Sequence, residues 1–337
     1  MGKAWKWTCL LVMTGLLILA GCGGNPSSTG EGSDQNKPVK IGFSPLPSWY
    51  LWYLVEEKGF FEKYGVDAEL VYFPVYSDSV SALNTGELDV NSQTLLDSIA
   101  PMSNGIGLKV AVVTDNSHGG DGLVVTPEIT SVQDLKGKKV ATEIGTIAHF
   151  FLLTILGDAG LSEQDVNFIN MTISDAGASF IAGNLDAAEL WEPFLSKAVT
   201  EGKGKLLVDS SQYPGLIADL LVMREDFVAN RPEDAQKVAA AWFDAVEYYY
   251  ENPEESIQII ADKAGITVEE MEQGLAGFPL FTLEQNLKAF EKGDGFTSLL
   301  YTANENAKFL KDLGFIDEIP DLEGLVDPAI VQKLAQQ

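Results

Sequence analysis

The chain has 337 residues, 46% of them hydrophobic, with 49 acidic against 22 basic side chains and a net charge of −27. An acidic excess of that size argues against a nucleic-acid partner and against attachment to anionic lipid through protein charge. Length and apolar content suffice for a sizeable core, divided between two lobes rather than gathered in one.

Lys3 and Lys6 precede an apolar run over 10–20, which Leu19-Ala20-Gly21-Cys22 closes. A basic head, a short apolar core and small residues at its end make a secretory signal; a membrane span would need roughly 20 apolar residues. Leu-Ala-Gly-Cys resembles a bacterial lipobox. The resemblance implies cleavage after residue 21, lipidation of Cys22, and a mature chain tethered at the extracytoplasmic face of the membrane. Losing Lys3 and Lys6 takes its charge from −27 to −29. Cys9 leaves with the signal, so the folded part has no cysteine for a disulfide, a zinc site or a catalytic thiolate. Residues 22–37 are rich in Gly and Ser and read as a flexible tether.

Strands and helices then alternate. Strands are predicted at 39–43, 67–73, 89–93 and 109–114, with helices at 51–64, 77–88 and 94–103, the last with Thr94 and Asp97 at capping-box spacing. The rhythm restarts at 123–125. It continues through a short capped helix at 131–135, strands at 139–142, 166–171, 187–191, 205–208 and 220–223, and helices at 146–159 and 178–185. From Pro232 the chain is almost all helix, with Val238, Ala241, Trp242, Ala245, Val246 and Tyr249 forming one stripe. The pattern predicts an α/β protein of two lobes, each a mostly parallel sheet flanked by helices, with a helical C-terminal segment on the first lobe. Lobe 1 is assigned to 38–124 and 223–337 and lobe 2 to 125–222. Two crossings between lobes make a hinge.

Several runs carry a family resemblance. They are Ile41-Gly42-Phe43-Ser44-Pro45, Lys58-Gly59-Phe60-Phe61-Glu62-Lys63-Tyr64-Gly65, Leu83-Asn84-Thr85-Gly86-Glu87-Leu88-Asp89, Asp134-Leu135-Lys136-Gly137-Lys138-Lys139-Val140 and Glu192-Pro193-Phe194. Over 39–313 the chain resembles the substrate-binding proteins of ABC importers in the nitrate/sulfonate/taurine (thiamine-pyrimidine-precursor-like, NMT1/THI5-like) group. The stretches Ser44-Pro45-Leu46-Pro47-Ser48-Trp49-Tyr50, Gln93-Thr94-Leu95-Leu96-Asp97 and Glu143-Ile144-Gly145-Thr146 are similar to a branch associated with urea or guanidine carboxylase systems. The resemblance implies a type II periplasmic-binding-protein fold, hinge closure on a small-molecule solute, and delivery to an ABC permease and its ATPase. It implies no cofactor, no metal and no enzymatic activity, and a monomer is expected.

In such folds ligands sit beyond the C-terminal ends of strands and between lobes. Those positions hold Ser44, Trp49 and Tyr50, then Asp78, then Gln93, Thr94 and Asp97, then Asp115; in the second lobe they hold Glu143, Thr146 and His149, then Trp191 and Glu192. This set contains many carboxylates and no Lys or Arg, and the only arginines of the chain are Arg224 and Arg231. An anion binder would normally add a charge-assisted arginine or lysine contact. Carboxylates and aromatic faces suit a small cation or an N–H-rich solute: guanidine, an amidine, urea or a protonated aminopyrimidine. Each residue has a structural alternative, Asp97 as a helix cap, His149 and Trp191 as core, Glu192 as a first-turn charge. Rival functions are a nitrate, sulfonate or taurine binder using helix N-termini, a thiamine-pyrimidine-synthase-like or carboxylate-based enzyme, and a sensory or adhesive surface lipoprotein. The chain carries no H-E-x-x-H helix, G-x-S-x-G elbow or P-loop.

Overall fold

The computed structural model describes residues 37–336. The predicted signal, Cys22 and the tether as far as residue 36 lie outside the described residues.

Two five-stranded sheets organise the chain. The first uses β1 (Val39–Phe43), β2 (Ala68–Tyr72), β3 (Val90–Thr94), β4 (Leu108–Asn116) and β10 (Ala218–Arg224), in the order β2-β1-β3-β10-β4. The second uses β5 (Asp121–Val125), β6 (Lys139–Thr142), β7 (Asn167–Asn170), β8 (Ala187–Trp191) and β9 (Lys205–Asp209), in the order β7-β6-β8-β5-β9. In each sheet four strands run one way and one runs against them, β10 in the first and β5 in the second. The reversed strand is in both cases the one that has just arrived from the other sheet. This is the mostly parallel pair of sheets read from the sequence. Central strands such as β3, β5 and β8 are buried along their whole length, as strands covered on both faces must be.

The crossings fall earlier than expected. All of β5 pairs in the second sheet and all of β10 in the first, so the chain leaves lobe 1 over 117–120, not near 125, and returns over 210–217, not near 223. Apolar periodicity finds a strand but cannot say which sheet pairs with it. The crossings lie side by side: the Ser117 and Ser210 hydroxyls are 2.7 Å apart, and the Gly119 N–H donates to Ser210 Oγ at 2.8 Å.

Helices pack around these sheets. The first is broken into α1 (Leu51–Glu57) and α2 (Phe60–Tyr64), where one helix over 51–64 was expected. Gly59 lies between them at φ 68°, a left-handed conformation that ends a helix and that glycine adopts without Cβ strain. α3 (Tyr76–Thr85), α4 (Leu95–Ser103), α5 (Ile147–Asp158) and α7 (Phe194–Thr200) fall near their predicted places. α6 (Ile173–Ile181) starts five residues before the predicted 178, because the Thr172 hydroxyl accepts the Asp175 N–H and caps it there. After α8 (Glu225–Asn230), α9 (Pro232–Glu251) turns its Val238–Ala241–Trp242–Ala245–Val246 face inward onto α1 and α2. Trp242 meets the Trp52 ring edge-on, centroids 4.8 Å apart, and Trp52 Nε1 donates to Ser92 Oγ at 3.0 Å. The remainder is α10 (Pro253–Ala264), α11 (Val268–Ala276), α12 (Leu283–Ala289), α13 (Leu299–Asp312), α14 (Leu322–Leu325) and α15 (Ala329–Leu334). The turn after α11 presses on the first crossing: the Gly277 carbonyl accepts the His118 N–H at 2.8 Å, and a Cβ on Gly120 would lie 2.2 Å from the Phe278 ring. No helix among the described residues is long and apolar enough to cross a membrane.

Candidate functional site

The strand ends of the two sheets meet in a seam. From the first lobe, Leu46, Trp49, Tyr76, Thr94 and Asp219 line a cavity of about 10 Å³; Asp121, Ile147 and Trp191 line it from the second. That volume is about one water-sized sphere, so the lobes are closed on each other. Trp191 Nε1 donates to the Pro45 carbonyl across the seam at 3.2 Å. The Tyr76 ring meets Trp191 edge-on at 5.6 Å and Trp49 at 5.5 Å. Tyr76 and Trp191 also line a second small cavity, which Glu143, Thr172 and Phe194 complete. The aromatic pair therefore separates two chambers.

Carboxylates surround the first chamber. Thr94 begins α4, and its hydroxyl accepts the Asp97 N–H at 3.3 Å and donates to Asp97 Oδ2 at 2.8 Å. The Tyr76 hydroxyl donates to the same oxygen at 2.7 Å. Asp97 is thus both a helix cap and the support behind two wall residues. Burial raises its pKa to about 6, against the pull of Tyr76, Thr94 and the Ile147 backbone N–H from the other lobe. Asp115, at the end of β4, is the register partner of Asp219 on β10, and both are buried. Burial lifts both pKa values, and each carboxylate's proximity to the other lifts Asp219 further. Asp121 opens β5 opposite Trp191; burial, with Asp115 and Glu192 nearby, pushes it up to about 7. Glu189, fully buried on β8 with Thr142 donating to it at 3.1 Å, is raised well above its usual range by burial and then by Asp121.

The second chamber has its own acid. Glu143 follows β6 and is raised chiefly by burial, while the Ser77 side chain and the Ile173 backbone N–H stabilise its charge. Glu192, also raised by burial, accepts from the Ser196 N–H at 3.2 Å and from the Ser196 hydroxyl at 2.5 Å. No group of three or more His, Cys, Asp or Glu among the described residues has metal-holding geometry.

The predicted residues divide accordingly. Trp49, Thr94 and Trp191 line the first chamber and Glu143 the second. Asp97, Asp115 and Glu192 stand behind the walls. Ser44 is buried at the end of β1, and Thr146 Oγ1 donates to the Glu143 carbonyl at 2.7 Å, shaping the turn into α5. Gln93 is spent internally, between Asn91 and Ser98. Asp78 is exposed in the first turn of α3. Tyr50 stacks on Tyr53 at 5.8 Å, outside both chambers. His149 is also elsewhere, bonded to Glu163 at 2.7 Å and packed on Phe168; it is buried and satisfied, as a core histidine would be. The sequence alone did not point to Asp121, Glu189, Asp219, Ile147 or Leu46 as site residues. The available signal was an acid inside an apolar strand: Asp121-Gly122-Leu123-Val124-Val125, Ala188-Glu189-Leu190 and Ala218-Asp219-Leu220-Leu221. A larger cavity of about 570 Å³ lies away from the seam, between α9 and α12, beside Phe243, Glu247, Tyr250 and Leu283.

Two α/β lobes joined by paired crossings and closing on a seam of strand ends define a two-lobed binding protein of the type II periplasmic class. The same fold is found in the alkanesulfonate-binding protein SsuA of Xanthomonas axonopodis pv. citri, at TM-score 0.73 and 19% identity over 86% of this chain and 97% of that one. Residues 47–256 match the family described as NMT1/THI5 like, and the chain belongs to that family. A Brucella abortus (strain 2308) protein with a provisional binding-protein name is 31% identical over 245 residues, 70% of this chain and 76% of its own. A Bacillus subtilis (strain 168) protein, provisionally named as binding aliphatic sulfonates, is 25% identical over 97% of this chain and 96% of its own.

Proposed function

We propose that the chain is the lipid-anchored solute receptor of an ABC importer and that it captures a small cationic or N–H-rich solute between its lobes. Guanidinium, amidinium, urea and protonated aminopyrimidines are the favoured class. The observation that carries this reading is how the helix N-termini at the seam are used. Family relatives are named for sulfonates and taurine, and the N-terminus of a helix is a ready anion site. Here internal carboxylates already stand at those helix ends. Glu192 accepts the Ser196 N–H of α7, and the backbone N–H groups of Ile147 in α5 and Ile173 in α6 favour the charged forms of Asp97 and Glu143. An anion would have to displace them beside other buried acids, with no lysine or arginine lining either chamber. A cation meets carboxylates whose desolvation it relieves, and the Trp49, Tyr76 and Trp191 faces add about 0.5–2 kcal/mol each. Lobe closure then presents the loaded receptor to the permease.

Thermal-shift screening of the mature domain without Cys22 tests this. A native-state ligand must raise the melting temperature. Guanidinium, amidines, urea and aminopyrimidines should do so, and mass spectrometry should recover the solute unchanged. A shift with taurine, an alkylsulfonate or nitrate alone would overturn the cation reading and leave an anion binder.

A further inference from the structure

Asp121 and Asp219 face the same chamber from opposite lobes. Asp121 is 3% exposed and Asp219 2%, and Oδ2 of each has no hydrogen-bond donor among the described residues. The groups around them are the acids Asp97, Asp115, Glu189 and Glu192, with the hydroxyl of Ser117 beside Asp121. None is basic. Two ionised carboxylates brought together in a dry seam repel each other, and burial strengthens that repulsion. Closing the lobes is the motion that brings them together.

Resting on the cation reading above, we propose that Asp121 and Asp219 form a charge gate: their repulsion holds the lobes apart until a cation sits between them, and a proton substitutes for that cation when none is bound. A planar cation with N–H donors on two edges would engage one carboxylate of each lobe. It would therefore bind the closed state more tightly than the open one, as any ligand that drives closure must. Asp115 is the register partner of Asp219, and each has a carboxylate oxygen without a partner, so the substituting proton would be shared by that pair. Coupled carboxylates of this kind titrate as a unit.

The test is small-angle scattering of the mature domain, with millimolar guanidinium chloride as probe, at pH 8 and pH 5.5. The wild type should be open at pH 8, compact with guanidinium, and compact at pH 5.5 without it. Asp121→Asn and Asp219→Asn should be compact at both pH values without ligand and lose at least tenfold in guanidinium affinity. Far-ultraviolet circular dichroism confirms that the variants fold; should one not, the other and the wild-type pH comparison still decide. A wild type that binds guanidinium but compacts independently of pH, with variants behaving like it, overturns the gate and leaves the cation reading standing. A wild type that compacts on acidification but ignores guanidinium sustains the proton half and removes the cation as the physiological key.

Discussion

Trp191 of the second lobe donates its indole N–H to the Pro45 carbonyl of the first at 3.2 Å, a hydrogen bond that exists only while the seam is shut. Trp191→Phe keeps most of the aromatic surface and removes the donor. A net contribution of about 1 kcal/mol then predicts roughly fivefold weaker solute binding with little change in the melting temperature of the unliganded protein. Isothermal titration beside a melting curve checks both. A large stability loss with unchanged affinity would make Trp191 a core residue and not a latch.

Asp97 ties Tyr76 and Thr94 to one carboxylate oxygen, with the Ile147 N–H of α5 favouring its charge. Asp97→Ala leaves the buried Tyr76 hydroxyl without its acceptor, at a cost of about 1–3 kcal/mol. It also frees the α5 N-terminus. The expected outcome is a lower melting temperature, weaker guanidinium binding and newly measurable sulfonate binding. Retained cation selectivity in this variant would show that the anion is excluded elsewhere.

The pH dependence of stability follows from the raised carboxyl groups. Asp97 and Asp121 hold their protons up to about 6 and about 7 in the fold, whereas in the unfolded chain an Asp loses its proton near 4. The native state therefore binds more protons in this window, and stability falls as pH rises. Their contribution is complete below about pH 4 and gone above about pH 7. The unliganded protein should melt higher at pH 5.5 than at pH 8, and Asp121→Asn should flatten the difference. Cation affinity should run the opposite way, rising with pH, because the solute competes with protons. A melting temperature that climbs from pH 5.5 to pH 8 in the wild type would contradict the assignment.

His149 separates scaffold from site. Its imidazole meets Glu163 at 2.7 Å and lies against Phe168 and Phe315. His149→Ala should lower stability by about 1–3 kcal/mol through lost packing and an unpaired partner. Guanidinium affinity should stay within twofold.

Gly120 lies where the Phe278 ring crosses the first crossing. A Cβ there would stand 2.2 Å from that ring, so Gly120→Ala forces Phe278 or the crossing to move. We expect destabilisation of about 1–3 kcal/mol together with a changed closing rate in stopped-flow fluorescence. Phe278→Ala in the same chain should recover part of the rate.

Much of this architecture was legible because strand and helix signals are local. β1, β6 and β8 fall on their predicted residues, and Thr94 caps α4 by accepting the Asp97 N–H, although the Thr94 N–H goes to the Tyr76 hydroxyl and not to Asp97 as a full capping box would have it. What escaped depends on distant partners. The sequence could not say that β5 joins the second sheet at Asp121, or that β10 inserts between β3 and β4, because the partners lie far along the chain, as with Asp121 and Trp191 or Thr94 and Asp219. For the same reason Glu189 passed as a member of an apolar strand and Asp121 and Asp219 fell just outside the predicted strands, while His149, conspicuous as a titratable group, is bonded to Glu163 and lines neither chamber. Helix starts depended on caps, and Thr172 was overlooked.

The placement of β10 also sets an order of events as the chain is made. The second lobe has all five strands once residue 209 has emerged, and its strands are contiguous in the chain. The first sheet at that moment is two fragments, β2-β1-β3 and a separate β4, each with a bare edge able to pair with another chain. It becomes one sheet only when residues 218–224 arrive to zip the fragments together. A chain truncated anywhere between those points would carry a finished second half beside an adhesive first half, so the stretch from 210 to 224 is where interrupted synthesis or early proteolysis would most readily lead to aggregation.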